Sequence, residues 1–219
     1  MLATYAELQS EIADTLHRED LTSKIPTFIK LFERRANRHI NHPQREVTTD
    51  LTLSAGSKVL GLPADLMDIE DAVIYLGNVP TPLVGVTGKF IDRTMPVTSI
   101  PTYYSIQGTT TGSTSALNMV FGVTANADYT VRLRYQSRFD IAADLTNWLL
   151  DNHPDVYLYG SLAASAPYIG EDERLALWAQ LATDGIAEVK RLGALLRKTE
   201  LMTETQQNKG QRFNIVRGW

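Results

Sequence analysis

Cysteine is absent from this chain of 219 residues. Its absence excludes disulfides, thiolate metal sites and cysteine nucleophiles, and it suits a reducing compartment. No apolar run approaches the roughly 18 residues that a membrane-spanning helix needs, so no membrane role is expected. The first residues, MLATYAELQSEI, lack a basic stretch followed by an apolar core, so no signal peptide is expected either. Charge of one sign is not in excess: a net −4 gives no global argument for nucleic acid. G-x-S-x-G, the phosphate-binding loop and G-x-G-x-x-G are all missing, which removes the usual serine-hydrolase and nucleotide signatures. Hydrophobic residues make up 43% and charged residues 21%, as in an ordinary soluble globular protein with a sizeable core.

The best-punctuated stretch is 144–169, DLTNWLLDNHPDVYLYGSLAASAPYI. Leu145, Trp148 and Leu149 are spaced as one apolar face of a short helix. Asn152-His153-Pro154 ends it, because the residue before a proline is pushed out of the α region. Pro154 then opens a long helix, where its missing N–H costs nothing. Val156, Tyr157, Leu158, Tyr159, Leu162 and Ala166 leave that helix little polar surface, so burial on more than one side is expected. Trp148, Tyr157 and Tyr159 are read as its structural hub. Gly160, Ala163 and Ala164 are small enough to admit another backbone closely.

Helices are also expected at the start. Thr4-Tyr5-Ala6-Glu7 reads as a capping box, followed by a stripe of Tyr5, Leu8, Ile12 and Leu16 ending near Arg18. A second helix begins around Pro26 and buries Phe28, Ile29, Phe32, Ala36 and Ile40. Its other face carries Lys30, Arg34, Arg35 and Arg38 against one acid, Glu33. From Val47 the period changes to that of strands, with candidates at 47–53, 58–60, 69–76, 82–87, 103–106, 117–121 and 129–135. A short helix is expected at 89–94, and 108–115 reads as a hairpin tip. No helix here is long enough for parallel crossovers, so an antiparallel region is expected. A helix of about thirty residues, roughly 45 Å, is expected from 171 to about Met202.

The fold class that follows is α+β, a helical bundle built from both ends of the chain with an inserted antiparallel β domain. Its expected parts are a helical hairpin (1–44), the β domain (45–140), C-terminal helices (141–202) and an extended arm (203–219). The arm turns polar, TETQQNKGQ, and then ends in an apolar, aromatic segment.

Chemistry is sparse. His39 and His42 stand three apart, but nothing at ligand spacing completes a metal site. Asp140, Asp144, Asp151 and Asp155 bracket the 144–169 stretch, where an acid–base pair is one reading and helix capping by Asp144 and Asp155 the simpler one. The Lys30–Arg38 cations could track phosphates, as a DNA-binding module would, or form only a solvated face. No cofactor and no metal are expected.

Five short motifs recur in order: TYAEL from Thr4, IPTFIKL from Ile25, LPAD from Leu62, TNWLL from Thr146 and PDVYLYGSL from Pro154. In this order and at these gaps the chain resembles the adaptor, or head-to-tail connector, family of tailed bacteriophages over about residues 4–200. The resemblance implies a structural, non-enzymatic virion protein. Such proteins form a ring of about twelve copies beneath the portal, with heterologous contacts that close by rotation. They close the DNA-filled head, carry the tail nozzle or tail tube and leave a channel for DNA, which passes without sequence-specific binding. The resemblance places such a protein at the head–tail junction of the virion, and in the host cytoplasm during assembly. Arg212, Phe213, Ile215, Val216 and Trp219 are then the expected portal anchors, since aromatics and arginine dominate interface energies. The Lys30, Arg34, Arg35, Arg38 face becomes a channel or interface surface. Two other classes stay open: a virion-associated hydrolase using the acids at 140–155, and a DNA-binding module.

Overall fold

Thr4 starts the first helix, α1 (Tyr5–Leu16), by accepting from the Glu7 backbone N–H. Glu7 closes the box one residue further out than expected, accepting from Ala3 N–H at 2.7 Å. In this computed structural model the described residues are 2–111, 114–170 and 173–209. α1 stops at Leu16, because His17 adopts a left-handed conformation with φ 53°. A 3-10 segment, Glu19–Lys24, leads to α2 (Ile25–His39), with Pro26 in its first turn. Ile25, Phe28, Ile29, Phe32 and Ala36 form its buried stripe. Glu33 is buried with them, which corrects its expected place on the basic face.

Arg45–Arg138 form one compact unit of the chain. Its strands are β1 (Glu46–Leu53), β2 (Val59–Gly61), β3 (Leu66–Leu76), β4 (Val79–Pro82) and β5 (Val84–Gly85). A short helix, α3 (Gly88–Arg93), precedes β6 (Thr98–Ser99) and β7 (Tyr103–Thr111). Then come β8 (Thr114–Phe121), β9 (Thr124–Ala125) and β10 (Tyr129–Ser137). One sheet has the order β1-β10-β3-β4, so the last strand lies between the first and the third; a second sheet has the order β2-β8-β7-β5. Both sheets contribute to one core, with Leu53, Ile74, Met119, Phe121, Val131 and Leu133 each fully buried. β10 alternates as its sequence requires: Val131, Leu133 and Tyr135 point inward, and Thr130, Arg132 and Arg134 outward.

Pairing differs from expectation in two places. β5 pairs with β7, and β6 with β9, in parallel over two residues each. Bridges this short need no crossover helix of their own, which is why the sequence pattern did not show them. The β7–β8 register also runs out to Thr111↔Thr114, so most of the expected tip at 108–115 is strand.

The other unit combines the chain up to Gln44 with the part from Phe139 on. Its later helices are α4 (Ile141–Asp144), α5 (Trp148–Asn152), α6 (Pro154–Ala164), α7 (Ala166–Ile169) and α8 (Arg174–Lys209). The stretch 144–169 is therefore more broken than its apolar pattern implies. Leu145 takes a left-handed conformation after α4 and lies exposed, so it is not part of the apolar face. Asn147 caps α5 through its side chain, accepting from Leu150 N–H at 3.0 Å. Asp144 ends a helix and Asp155 lies in the first turn of α6, so neither caps as expected. Pro167, which lacks an N–H and crowds the preceding turn, separates α6 from α7 at Ser165. α8 continues to Lys209, past the expected end near Met202, so 203–209, expected in the arm, are helical.

α6 packs against α1, α2, α5 and α8. A Cβ on Gly160 would overlap the Phe32 ring, so glycine is what lets α2 approach. Gly185 admits Val156 of α6 to α8 in the same way. The shared core holds Leu8, Ile12, Phe28, Phe32, Leu149, Leu150, Tyr157, Leu162, Trp178 and Val189.

Candidate functional site

The hub is a polar knot inside this apolar core. Tyr157 is fully buried and donates to Glu33 Oε1 at 2.7 Å. Its oxygen accepts from Asn147 Nδ2 at 2.8 Å, and Glu33 Oε1 also accepts from Ile141 N–H at 2.8 Å. One carboxylate thus ties α2, α4 and α6 together, and a buried polar group must be satisfied in this way. Burial, more than any neighbouring charge, pushes the Glu33 carboxyl above its ordinary pKa. Burial likewise raises the Tyr157 hydroxyl, with the Glu33 charge adding to it. Sequence reading missed Glu33 as a partner because its position looks exposed beside four cations. Its spacing of four from Ile29 and three from Ala36 was the available signal.

Trp148 is half-buried and stacks on His42, with ring centroids 4.6 Å apart and 21° between planes. Phe139 and His153 border the same indole. Its Nε1 is buried without a partner among the described residues, so the residue acts through its ring. His42 accepts from Gln44 N–H through Nδ1 at 3.2 Å, and burial lowers its pKa. Tyr159 is half-buried at the edge of the core. His39 is exposed at the end of α2, apart from His42 in character. Among the described residues no three His, Cys, Asp or Glu side chains converge as a metal site would require.

The four acids near the hub differ in exposure. Asp140 is half-buried and Asp144, Asp151 and Asp155 are exposed. Asp151 accepts from the Thr146 hydroxyl at 2.8 Å. Glu33, whose pKa burial raises, is only 5% exposed and so is closed to any substrate.

Lys30, Arg34, Arg35 and Arg38 are all exposed. The structure divides them. Lys30 and Arg34, with Pro26, Thr27 and Leu31, line one shallow hollow. Arg35 and His39 instead face α8, lining a second hollow with Thr183, Ile186, Ala187 and Lys190. The expected portal anchors Arg212, Phe213, Ile215, Val216 and Trp219 lie outside the described residues.

Among the described residues this arrangement offers exposed surfaces and an interior tie. Residues 3–206 match the SU10 adaptor protein family. The chain belongs to that family. The match opens at the α1 capping box and runs through α8 as far as Gln206, so every described element except the last turn of α8 lies inside it. No curated protein matches the chain. Among solved structures, a chain from the neck of an empty GTA particle, computed with C6 symmetry, is similar at 11% identity. Its TM-score is 0.25, with 79% of this chain and 87% of that chain covered. As an SU10 adaptor, the protein is a structural head–tail adaptor of a phage.

Proposed function

We propose that this SU10 adaptor acts as a ring of about twelve copies under a portal, since a heterologous contact repeated by rotation closes into a ring. The ring would close the DNA-filled head, leave an axial channel for DNA and present a platform to tail nozzle or tail tube proteins. It would form in the host cytoplasm and end at the head–tail junction of the virion. Arg212, Phe213, Ile215, Val216 and Trp219 would dock on the portal. Among the described residues no helix is long and apolar enough to cross a membrane.

The observation that carries this reading is α8. Its last buried residue among those described is Gly193, and the helix runs on to Lys209, roughly 24 Å further at 1.5 Å per residue. Leu195 and Leu196, each 53% exposed, lie just past that point. Apolar surface that a helix leaves exposed in this way is what a partner covers.

The test has two parts. Electron microscopy of the protein mixed with its portal should show a stacked ring with a central hole. Deleting residues 208–219 should leave the circular dichroism spectrum and melting temperature unchanged and abolish co-sedimentation with portal rings. A truncated protein that binds portal as tightly as the full chain sinks the anchor assignment.

A further inference from the structure

Two helices of the same unit present faces of opposite charge to solvent. On α2, Lys30, Arg34 and Arg38 recur every fourth residue and are all exposed. The acid of that helix, Glu33, is turned into the core and bound there, so it neutralises nothing on the face. On α1, Glu7, Glu11 and Asp14 recur at intervals of four and three residues and are also exposed. Tyr5–Leu16 contains no lysine or arginine. None of these six side chains makes an ion pair among the described residues.

The two stripes match in length. A rise of 1.5 Å per residue sets successive cations about 6 Å apart, and the acids about 6 and 4.5 Å apart. Laid together they bring charge onto charge over roughly 10 to 12 Å. Leu31, 42% exposed, sits among the cations beside the hollow lined by Pro26, Thr27, Lys30 and Arg34. A phosphate backbone has no use for that apolar surface, whereas a protein side chain can fill it. Cations repeated around a channel would also release counterions at every copy and hold a duplex where it has to pass.

We infer that neighbouring copies meet here, with the α2 cation stripe of one copy on the α1 acid stripe of the next. The inference rests on the ring reading above and names its contact. Because each copy offers one stripe of each sign, the contact is heterologous and repeats. Opposed charge sets register and rejects wrong pairings, while Leu31 and its hollow supply apolar burial.

Arg34→Glu and Glu11→Arg test it, both in the full chain and both at exposed positions, with a melting curve to confirm folding. Each variant alone should raise the protein concentration needed for ring assembly on portal by about tenfold or more, because like charges then oppose at every contact. An equimolar mixture of the two should assemble as the wild type does: the acidic α2 of one variant meets the basic α1 of the other, and the remaining contacts are native. The double variant should recover too. Since the chain has no cysteine of its own, Arg34→Cys mixed with Glu11→Cys should give a disulfide-linked heterodimer in excess over the homodimer that either variant forms alone. Single variants that assemble normally overturn the pairing and leave the ring reading standing. Loss of assembly that neither the mixture nor the double variant restores also overturns it. Arg34→Glu that assembles but no longer retains duplex DNA assigns the cations to DNA instead. A wild-type chain that forms no ring with portal overturns both readings.

Discussion

Glu33 shows how one residue can be misread from its neighbours and still be decisive. Its carboxylate accepts from Tyr157 and from the Ile141 N–H, joining segments more than a hundred positions apart in sequence. Removing it strands a buried hydroxyl and a buried N–H, so Glu33→Ala should cost about 2–3 kcal/mol in chemical denaturation. Glu33→Gln keeps an oxygen at the same place and should cost less. The pH dependence separates the two effects. Because the folded carboxyl has a raised pKa, its stabilising contribution is complete below the ordinary carboxylate value and is lost as pH rises through the raised one. Wild type should therefore lose stability relative to Glu33→Gln between acid and neutral pH. Parallel curves for the two proteins would mean that the carboxyl is not strained by burial.

At the scale of elements, α6 organises its unit because glycine and a proline break allow it. Gly160 lets the Phe32 ring lie on the α6 backbone. Gly160→Leu has no space to occupy and should destabilise the helical unit by about 3 kcal/mol or more, since α2 must be displaced to admit it. Its midpoint in urea would show this directly, and an unchanged midpoint would mean that the α2–α6 approach is looser than the structure has it. α8 is the opposite case. Its buried stripe of Trp178, Ala182, Ile186 and Val189 is narrow, while Leu177, Leu181, Leu195 and Leu196 remain exposed. An element with more apolar surface than its own chain covers is shaped for contact with another molecule.

Across the whole molecule, each unit has a core of its own. The helical core runs from Leu8 to Val189, and the β core is drawn from both sheets of Arg45–Arg138. Units with separate cores open separately. Leu133→Ala, in the middle of β10, should cost about 2–5 kcal/mol. Hydrogen exchange should then speed up across the strands and leave the amides of α2 and α6 protected. Equal loss of protection in both units would show one cooperative core instead.

Local chemistry was legible in the sequence wherever a rule acts over a few residues. The Thr4 cap, the proline starts at Pro26 and Pro154, the alternation of β10 and the α+β class follow from spacing and from the change of period at Val47. The motif order from TYAEL to PDVYLYGSL led to the adaptor family, because it is carried by the residues themselves. Tertiary structure alone decided the rest. Glu33 could be placed inside only once Tyr157 and Ile141 were close enough to satisfy it. Leu145 left its apolar face because its backbone turned left-handed between two short helices. The two parallel bridges of β5 and β6 are pairings between distant segments. The basic face divided, with Arg35 toward α8, because Arg35 and His39 share a hollow with Thr183 and Lys190 of that helix. For Glu33, the bridges and Arg35 the deciding partner lies beyond the local sequence, where periodicity carries no information.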